Sequence, residues 1–196
     1  MPSSAQSLPG FRPLPDEGDP LGKLDACHDR MQRQLTTLQR LLERQTKAGH
    51  LVIDDEVRAA AGAIRNYFDE AASRHHRDEE QDLFPAVIEA MAGSDAVCLH
   101  AIVRRLAADH RQLEKAWHDL RPDLVALAQA EPDHPGRDSE DDAIGLDPAK
   151  VDRFIAAHRT HLEVEDDELM PMARRLLSDE QLARIGQGMR NRRDRG

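Results

Sequence analysis

Two stretches of this chain, HHRDEEQDLFP from His75 and HLEVEDDELMP from His161, align without a gap across a separation of 86 residues. Each reads HxxxE, then a further acid, then a leucine eight places after the histidine (Leu83, Leu169) and a proline ten places after it (Pro85, Pro171). A second pair, HDRMQRQL from His28 and HRQLEKAW from His110, aligns across 82 residues. The chain therefore reads as two helical hairpins in tandem, each giving one lone histidine and one HxxxE.

The spacing of the apolar residues says what those hairpins are made of. Leu24, His28, Met31, Leu35, Leu38 and Leu42 recur at alternating steps of four and three, which places them on one stripe of a helix. Val103, Leu106, His110, Leu113, Trp117 and Leu120 do the same from about Ser94, a candidate N-cap. A histidine interrupts each otherwise apolar stripe. A further helix is expected from Asp54 and Asp55 to about Met91, with Ile64, Phe68, Ala71, Ala72, His75 and Glu79 on one face and a bend at Pro85. Another opens near Asp147 and Pro148 and carries Val151, Phe154, His158, His161, Glu165, Leu169 and Met172. A short last helix starts at Ser178, with Leu182, Ile185 and Met189 inward.

Aromatic residues make up only 3% of the chain and charged ones 33%, so a core must come from Leu, Ala, Val, Ile and Met, which suits packed helices. The expected fold is all-α, an antiparallel up-down four-helix bundle with a short C-terminal fifth helix. Residues 1–18, rich in Pro, Ser and Gly, are expected to form a flexible N-terminal arm, 19–190 the bundle, and 191–196 a basic tail. Residues 131–146 read as a long surface connection. The net charge of −10 argues against nucleic acid as a partner. No run approaches a membrane span, and the N-terminus lacks a signal-peptide layout. Cys27 and Cys98 form no CxxC, which fits a reducing compartment, so a cytoplasmic monomer or homodimer is expected.

Residues four apart on a helix lie one above the other, so His75 with Glu79, and His161 with Glu165, can reach one centre. Both His75 and His76 have an acid four residues on. Only His75 and Glu79 keep the spacing to Leu83 and Pro85 that the second copy shows, and His76 with Glu80 falls about 100° round the helix, outside the expected ligand set. Six such groups aimed into one interior would each cost several kcal/mol if left unpaired, and a pair of dications removes that penalty. Four imidazoles, two bridging carboxylates and an oxo or hydroxo bridge leave room for an exogenous ligand on two metals. Nitrogen and oxygen donors without thiolate favour iron or manganese, with zinc a possible substitute.

His28, His75 with Glu79, His110, and His161 with Glu165, in that order on successive helices and with LFP closing the second, resemble the hemerythrin-like HHE cation-binding domain over about residues 20–190. The resemblance implies a four-helix bundle holding a carboxylate-bridged non-haem di-iron centre that binds dioxygen, nitric oxide or related oxidants. The oxygen-carrying invertebrate members have HxxxH on the third helix, where position 114 here is Glu. The four-His, two-Glu set is more similar to the bacterial branch, which includes iron-centre repair proteins. Three functions stay open: binding or sensing O2, NO or peroxide; turnover as a nitric oxide or peroxide reductase or in repair; and iron storage or delivery.

Other residues have more than one reading. His158 is a packed imidazole, a supporting donor or a further ligand, and Tyr67 is a core phenol or a modulator of access. Cys27 points away from the ligand stripe. Asp29, Asp109, Glu80 and Asp166 are candidate hydrogen-bond partners for ligand imidazoles. His50, His100, His118 and His134 read as surface residues.

Overall fold

The computed structural model describes residues 18–91, 96–132 and 144–194. All regular structure among them is helical, and the protein is a helical bundle. The first helix, α1 (Pro20–Ala48), starts where Asp19 accepts a hydrogen bond from the Gly22 amide at 2.8 Å and Pro20 supplies a preset φ. It ends on Gly49, whose φ of 79° is the left-handed conformation a helix stop favours. Helix α2 (55–90) is capped by Asp54, which accepts from the Val57 amide at 2.8 Å. Helix α3 (Ala96–Gln129) runs through Pro122 without a break. Helix α4 (148–176) is capped by Asp147, and α5 (Asp179–Arg193) opens on a reciprocal Ser178 and Gln181 capping box. Ser94, the candidate cap of the third helix, lies outside the described residues, as does most of the 131–146 connection.

Helices α2 and α4 are not uniformly α-helical. In α2 the turns widen to π geometry over Tyr67–Ala72 and again over Glu79–Leu83, and in α4 over Glu165–Leu169. Two of these segments start on the glutamate of an HxxxE and end on the leucine eight places after its histidine. An ideal α-helix would put that leucine about 80° away from the histidine's direction, since each residue advances about 100°. The extra residue of a π turn absorbs the mismatch, so His75, Glu79 and Leu83, and likewise His161, Glu165 and Leu169, are all buried. Pro85 and Pro171 follow directly, at the start of the next α segment, where a missing N–H costs little. The bend expected at Pro85 is thus a change of helical winding just before it.

The core has two apolar parts. One gathers Met31, Leu35, Phe68, Ala72, Trp117, Leu120, Phe154 and Ile155. The other gathers Leu24, Leu83, Leu106, Leu169, Ile185 and Met189. Between them, in each of the long helices, lie the buried polar residues His28, His75, Glu79, His110, His161 and Glu165, at most 4% exposed. Helix α1 packs on α2 and α4, and α3 packs on α2 and α4, so the polar layer lies between all four long helices. Helix α5 covers the end of α2, where Arg192 and Arg193 reach back to Asp78, itself 2% exposed.

Candidate metal centre

The two glutamates occupy the middle of the polar layer. Glu79 Oε1 is 3.2 Å from His75 Nε2 and 3.9 Å from His28 Nε2, while its Oε2 is 3.4 Å from His110 Nε2. Glu165 is placed in the opposite sense: Oε2 is 3.3 Å from His28 Nε2, and Oε1 is 3.2 Å from His161 Nε2 and 3.9 Å from His110 Nε2. Each carboxylate thus presents one oxygen to each pair of imidazoles. Two four-donor sets result, His28, His75, Glu79 and Glu165 on one side and His110, His161, Glu79 and Glu165 on the other, with donor atoms all within 4.8 Å of one another in each set.

Donors about 2.1 Å from one cation lie about 3.0 to 3.4 Å apart in octahedral or tetrahedral geometry, close to the shorter distances here. The groups are otherwise poorly served. All four carboxylate oxygens and the Nε2 atoms of His110 and His161 are buried without a hydrogen-bond partner, and His28 Nε2 faces His75 Nε2 at 3.1 Å. Buried donors in such numbers are costly unless something binds them together. The residues fit a pair of cations.

The electrostatics agree. Burial would raise the pKa of both glutamates, and Glu165 raises that of Glu79 further, yet the surrounding imidazoles win and hold both below the usual carboxylate range. Burial opposes charge on His28, His75 and His110, but neighbouring carboxylates, joined at His75 by the Cys27 thiol, overcome it: His28 and His75 are raised and His110 is pushed up to about 10. Protons and metal ions compete for the same lone pairs.

Outer partners orient the lone imidazoles. His28 Nδ1 donates to Asp166 at 2.7 Å, and His110 Nδ1 donates to Glu80 at 2.7 Å, each turning Nε2 inward. Each of these acids directly follows one of the two buried glutamates, and each serves the lone histidine of the other hairpin. Asp109 instead faces Arg105 at 3.8 Å.

Residues 19–173 match the family described as the hemerythrin HHE cation binding domain. The chain belongs to that family. A relative from Haemophilus influenzae, an uncharacterized protein, is 29% identical over 178 residues, covering 89% of this chain and 90% of the relative. Cation binding is thus the property of this hemerythrin HHE protein that both the family and the His/Glu cluster support.

The remaining candidates separate clearly in this HHE chain. His158 is 2% exposed and donates Nδ1 to the Phe154 carbonyl at 2.9 Å, a packed imidazole that burial holds down to about 4. Tyr67 donates to the Cys27 carbonyl at 3.0 Å, and Cys27 Sγ lies 3.2 Å from its hydroxyl, so the two form a half-buried pair between α1 and α2. His50, His100 and His118 are exposed, and His134 lies outside the described residues.

His76 departs from the sequence expectation. Its Nε2 is buried without a partner, and its ring stacks on His110 with centroids 4.0 Å apart and an interplanar angle of 14°. Burial and the imidazoles of His110, His75 and His161 hold its pKa well below the ordinary value. His75 and His76 straddle the inward direction, His75 toward α1 and His76 toward α3, so a step of about 100° leaves His76 half-buried beside the layer. The available signal was the second copy, where the same position is an apolar Leu162.

Proposed function

We propose that this protein is a non-haem di-iron protein that binds or senses O2, NO or peroxide through a carboxylate-bridged metal pair. The observation that carries the reading is the placement of Glu79 and Glu165, each with one oxygen toward His28 and His75 or His28 alone and the other toward the His110 and His161 side. His28, His75, His110 and His161 supply the nitrogen ligands. The donor set is hard and borderline, which favours iron, with manganese or zinc as substitutes. When bound, an iron pair supplies electrons to a small oxidant or holds it reversibly.

The chain's own part is to orient and to enclose. Asp166 and Glu80 fix the rings of His28 and His110. Leu24, Leu83, Leu106 and Leu169 cover the layer at one end, and Met31, Leu35, Phe68 and Phe154 at the other, so water reaches the centre by few routes. The architecture we infer is an up-down four-helix bundle with α5 as an added fifth helix. The order in which the chain crosses the two apolar clusters supports it: Leu24 then Met31 in α1, Phe68 then Leu83 in α2, Leu106 then Trp117 in α3, Phe154 then Leu169 in α4. No helix among the described residues is long and apolar enough to cross a membrane, and a cytoplasmic monomer or homodimer is part of the same proposal.

Turnover is the second reading. A cleft of about 420 Å³, lined by Phe68, Trp117, Phe154, His76 and His158, reaches His110 and is larger than a diatomic gas needs. Anaerobic loading of the apoprotein with Fe(II), followed by O2 or NO, separates the readings. Two irons per chain and a visible band that follows gas pressure reversibly are expected for binding. Irreversible bleaching with product formation moves the assignment to an enzyme, rapid loss of iron to a mild chelator moves it to delivery, and fewer than two metals per chain sinks the centre.

A further inference from the structure

The two hairpins repeat one another beyond the buried layer. Each carries a cleft, one of about 370 Å³ lined by Leu35, Leu162 and Asp166, and the larger one lined by their counterparts Trp117, His76 and Glu80 at the same offsets of 82 and 86 residues. On the side covered by α5 the likeness ends. The residue before the glutamate of HxxxE is Val164 in the second hairpin, 8% exposed and packed in the apolar core. In the first it is Asp78, 2% exposed, a carboxylate where the other copy shows that an apolar side chain fits.

A carboxylate buried there is costly unless it is paired, so packing alone gives no reason for it. Helix α5 supplies the pair. Arg192 donates from Nε to Asp78 Oδ1 at 2.8 Å, and Arg193 donates from Nη2 to Oδ2 at 3.1 Å. The Arg192 guanidinium also donates to Gln81 Oε1 at 3.2 Å and to Asp82. Asp78 directly precedes the π turn over Glu79–Leu83, and Gln81 and Asp82 lie inside it, so one guanidinium grips that turn at its entry and in its middle. A Cβ at Gly188 of α5 would come within 2.6 Å of both Asp82 carboxylate oxygens, so α5 lies this close only with glycine there. In the second π turn Asp167 and Glu168 hold the matching places, and both are exposed.

We propose that Asp78 is a positioning residue for Glu79: held by Arg192 and Arg193, it fixes the first π turn and with it the placement of the Glu79 carboxylate, so that the first HxxxE depends on α5 and the second does not. The inference rests on the metal pair proposed above, to which Glu79 presents one of the two shared carboxylates. Helix α5 contributes no residue to either four-donor set, yet it governs how well the centre closes.

Anaerobic titration of the apoprotein with Co(II), followed by its visible d–d bands, tests this, with far-ultraviolet circular dichroism as the check on folding. The wild type should take up two Co(II) per chain. Arg192→Gln with Arg193→Gln leaves Asp78 unpaired and should weaken Co(II) binding by at least about tenfold and shift the bands, while helix content stays that of the wild type. Gly188→Ala removes no charged group and favours helix in α5 itself, yet it should shift the bands in the same sense, because its Cβ displaces Asp82 from Arg192. Should the arginine double variant lose helix, Gly188→Ala decides alone. Asp78→Asn should also weaken binding, and the two arginine changes should then cost less than they cost in the wild type, since they act through Asp78. Affinity and bands equal to the wild type in the folded arginine double variant and in Gly188→Ala overturn the positioning role and leave α5 a part in stability alone. Full additivity of the Asp78 and arginine changes overturns the route through Asp78. A wild type that binds fewer than two Co(II) overturns the metal pair and this assignment with it.

Discussion

The two hairpins are alike in the buried layer of histidines and glutamates and unlike one residue away. His28 and His110, His75 and His161, and Glu79 and Glu165 occupy matching places, and Asp166 and Glu80 support matching imidazoles. Beside them, Leu162 belongs to the apolar core while His76 buries an unpartnered nitrogen in a ring stacked on His110. The repeat therefore constrains the centre itself more tightly than its surroundings. A protein of this shape can change what reaches its metals by altering one cleft and leaving the clamp intact.

Removing one clamp at a time tests the likeness hardest. His75→Ala with Glu79→Ala, and His161→Ala with Glu165→Ala, each delete one imidazole and one bridge, and both should abolish the metal pair. Metal content measured after desalting should fall below one per chain in both cases. A protein that keeps two metals with either clamp deleted breaks the equivalence.

The unlike positions should separate by stability. Leu162→Ala opens a cavity in the core and should destabilise the apoprotein by about 2–5 kcal/mol in urea unfolding. His76→Ala removes a ring that borders an open cleft and should cost clearly less. Equal losses would mean that His76 is a packing residue like its counterpart.

Next in size come the supporting acids. Glu80→Gln and Asp166→Asn each loosen one lone imidazole and should each weaken metal affinity by about 10–100-fold. Similar losses would extend the symmetry to the outer partners. A loss in only one hairpin would show that the clefts differ there as well.

The smallest effect concerns the rim of the larger cleft. Asp69 accepts from Trp117 Nε1 at 3.0 Å and from Arg121 at 2.8 and 3.0 Å, and Arg121 first, then Trp117, lowers its pKa against the effect of burial. A depressed folded-state pKa stabilises the protein above the unfolded value of about 3.9, and the gain is lost as pH falls through the folded value. Asp69→Asn should therefore be slightly less stable than the wild type at neutral pH and indistinguishable from it at the acid end of the transition. A difference that persists in strong acid would assign the contact to packing.

Much of the buried histidine and glutamate layer was legible in the sequence because its members obey helix arithmetic. His28 and His110 stand in apolar stripes of regular step, and the gapless alignment of the two HxxxE stretches chose His75 over His76 as the clamp residue. The helix starts near Asp54, Asp147 and Ser178 were readable for the same local reason. What local reasoning missed depends on winding and on distant partners. The leucines at Leu83 and Leu169, eight places after a histidine, already conflict with an ideal helix, yet only the structure shows the π turns that absorb the conflict. Nothing near Asp78 in sequence announces Arg192 and Arg193 as its partners. The stack of His76 on His110 was not legible either, because it joins residues 34 apart on different helices.

The π turns over Glu79–Leu83 and Glu165–Leu169 carry a consequence for deletions. A residue lost from the middle of an α-helix ordinarily throws every later side chain out of register. Here the extra residue is already stored in the turn. Shortening either segment by one should let it relax to plain α-helix and return the leucine to seven places after its histidine, about 20° from alignment instead of 80°. The apolar end of the helix would keep its partners, and the histidine and glutamate before the deletion would keep the four-residue spacing that already aligns them. A single deletion just after the glutamate should thus yield a chain that still folds, where the same deletion elsewhere in these helices would throw the buried face out of register.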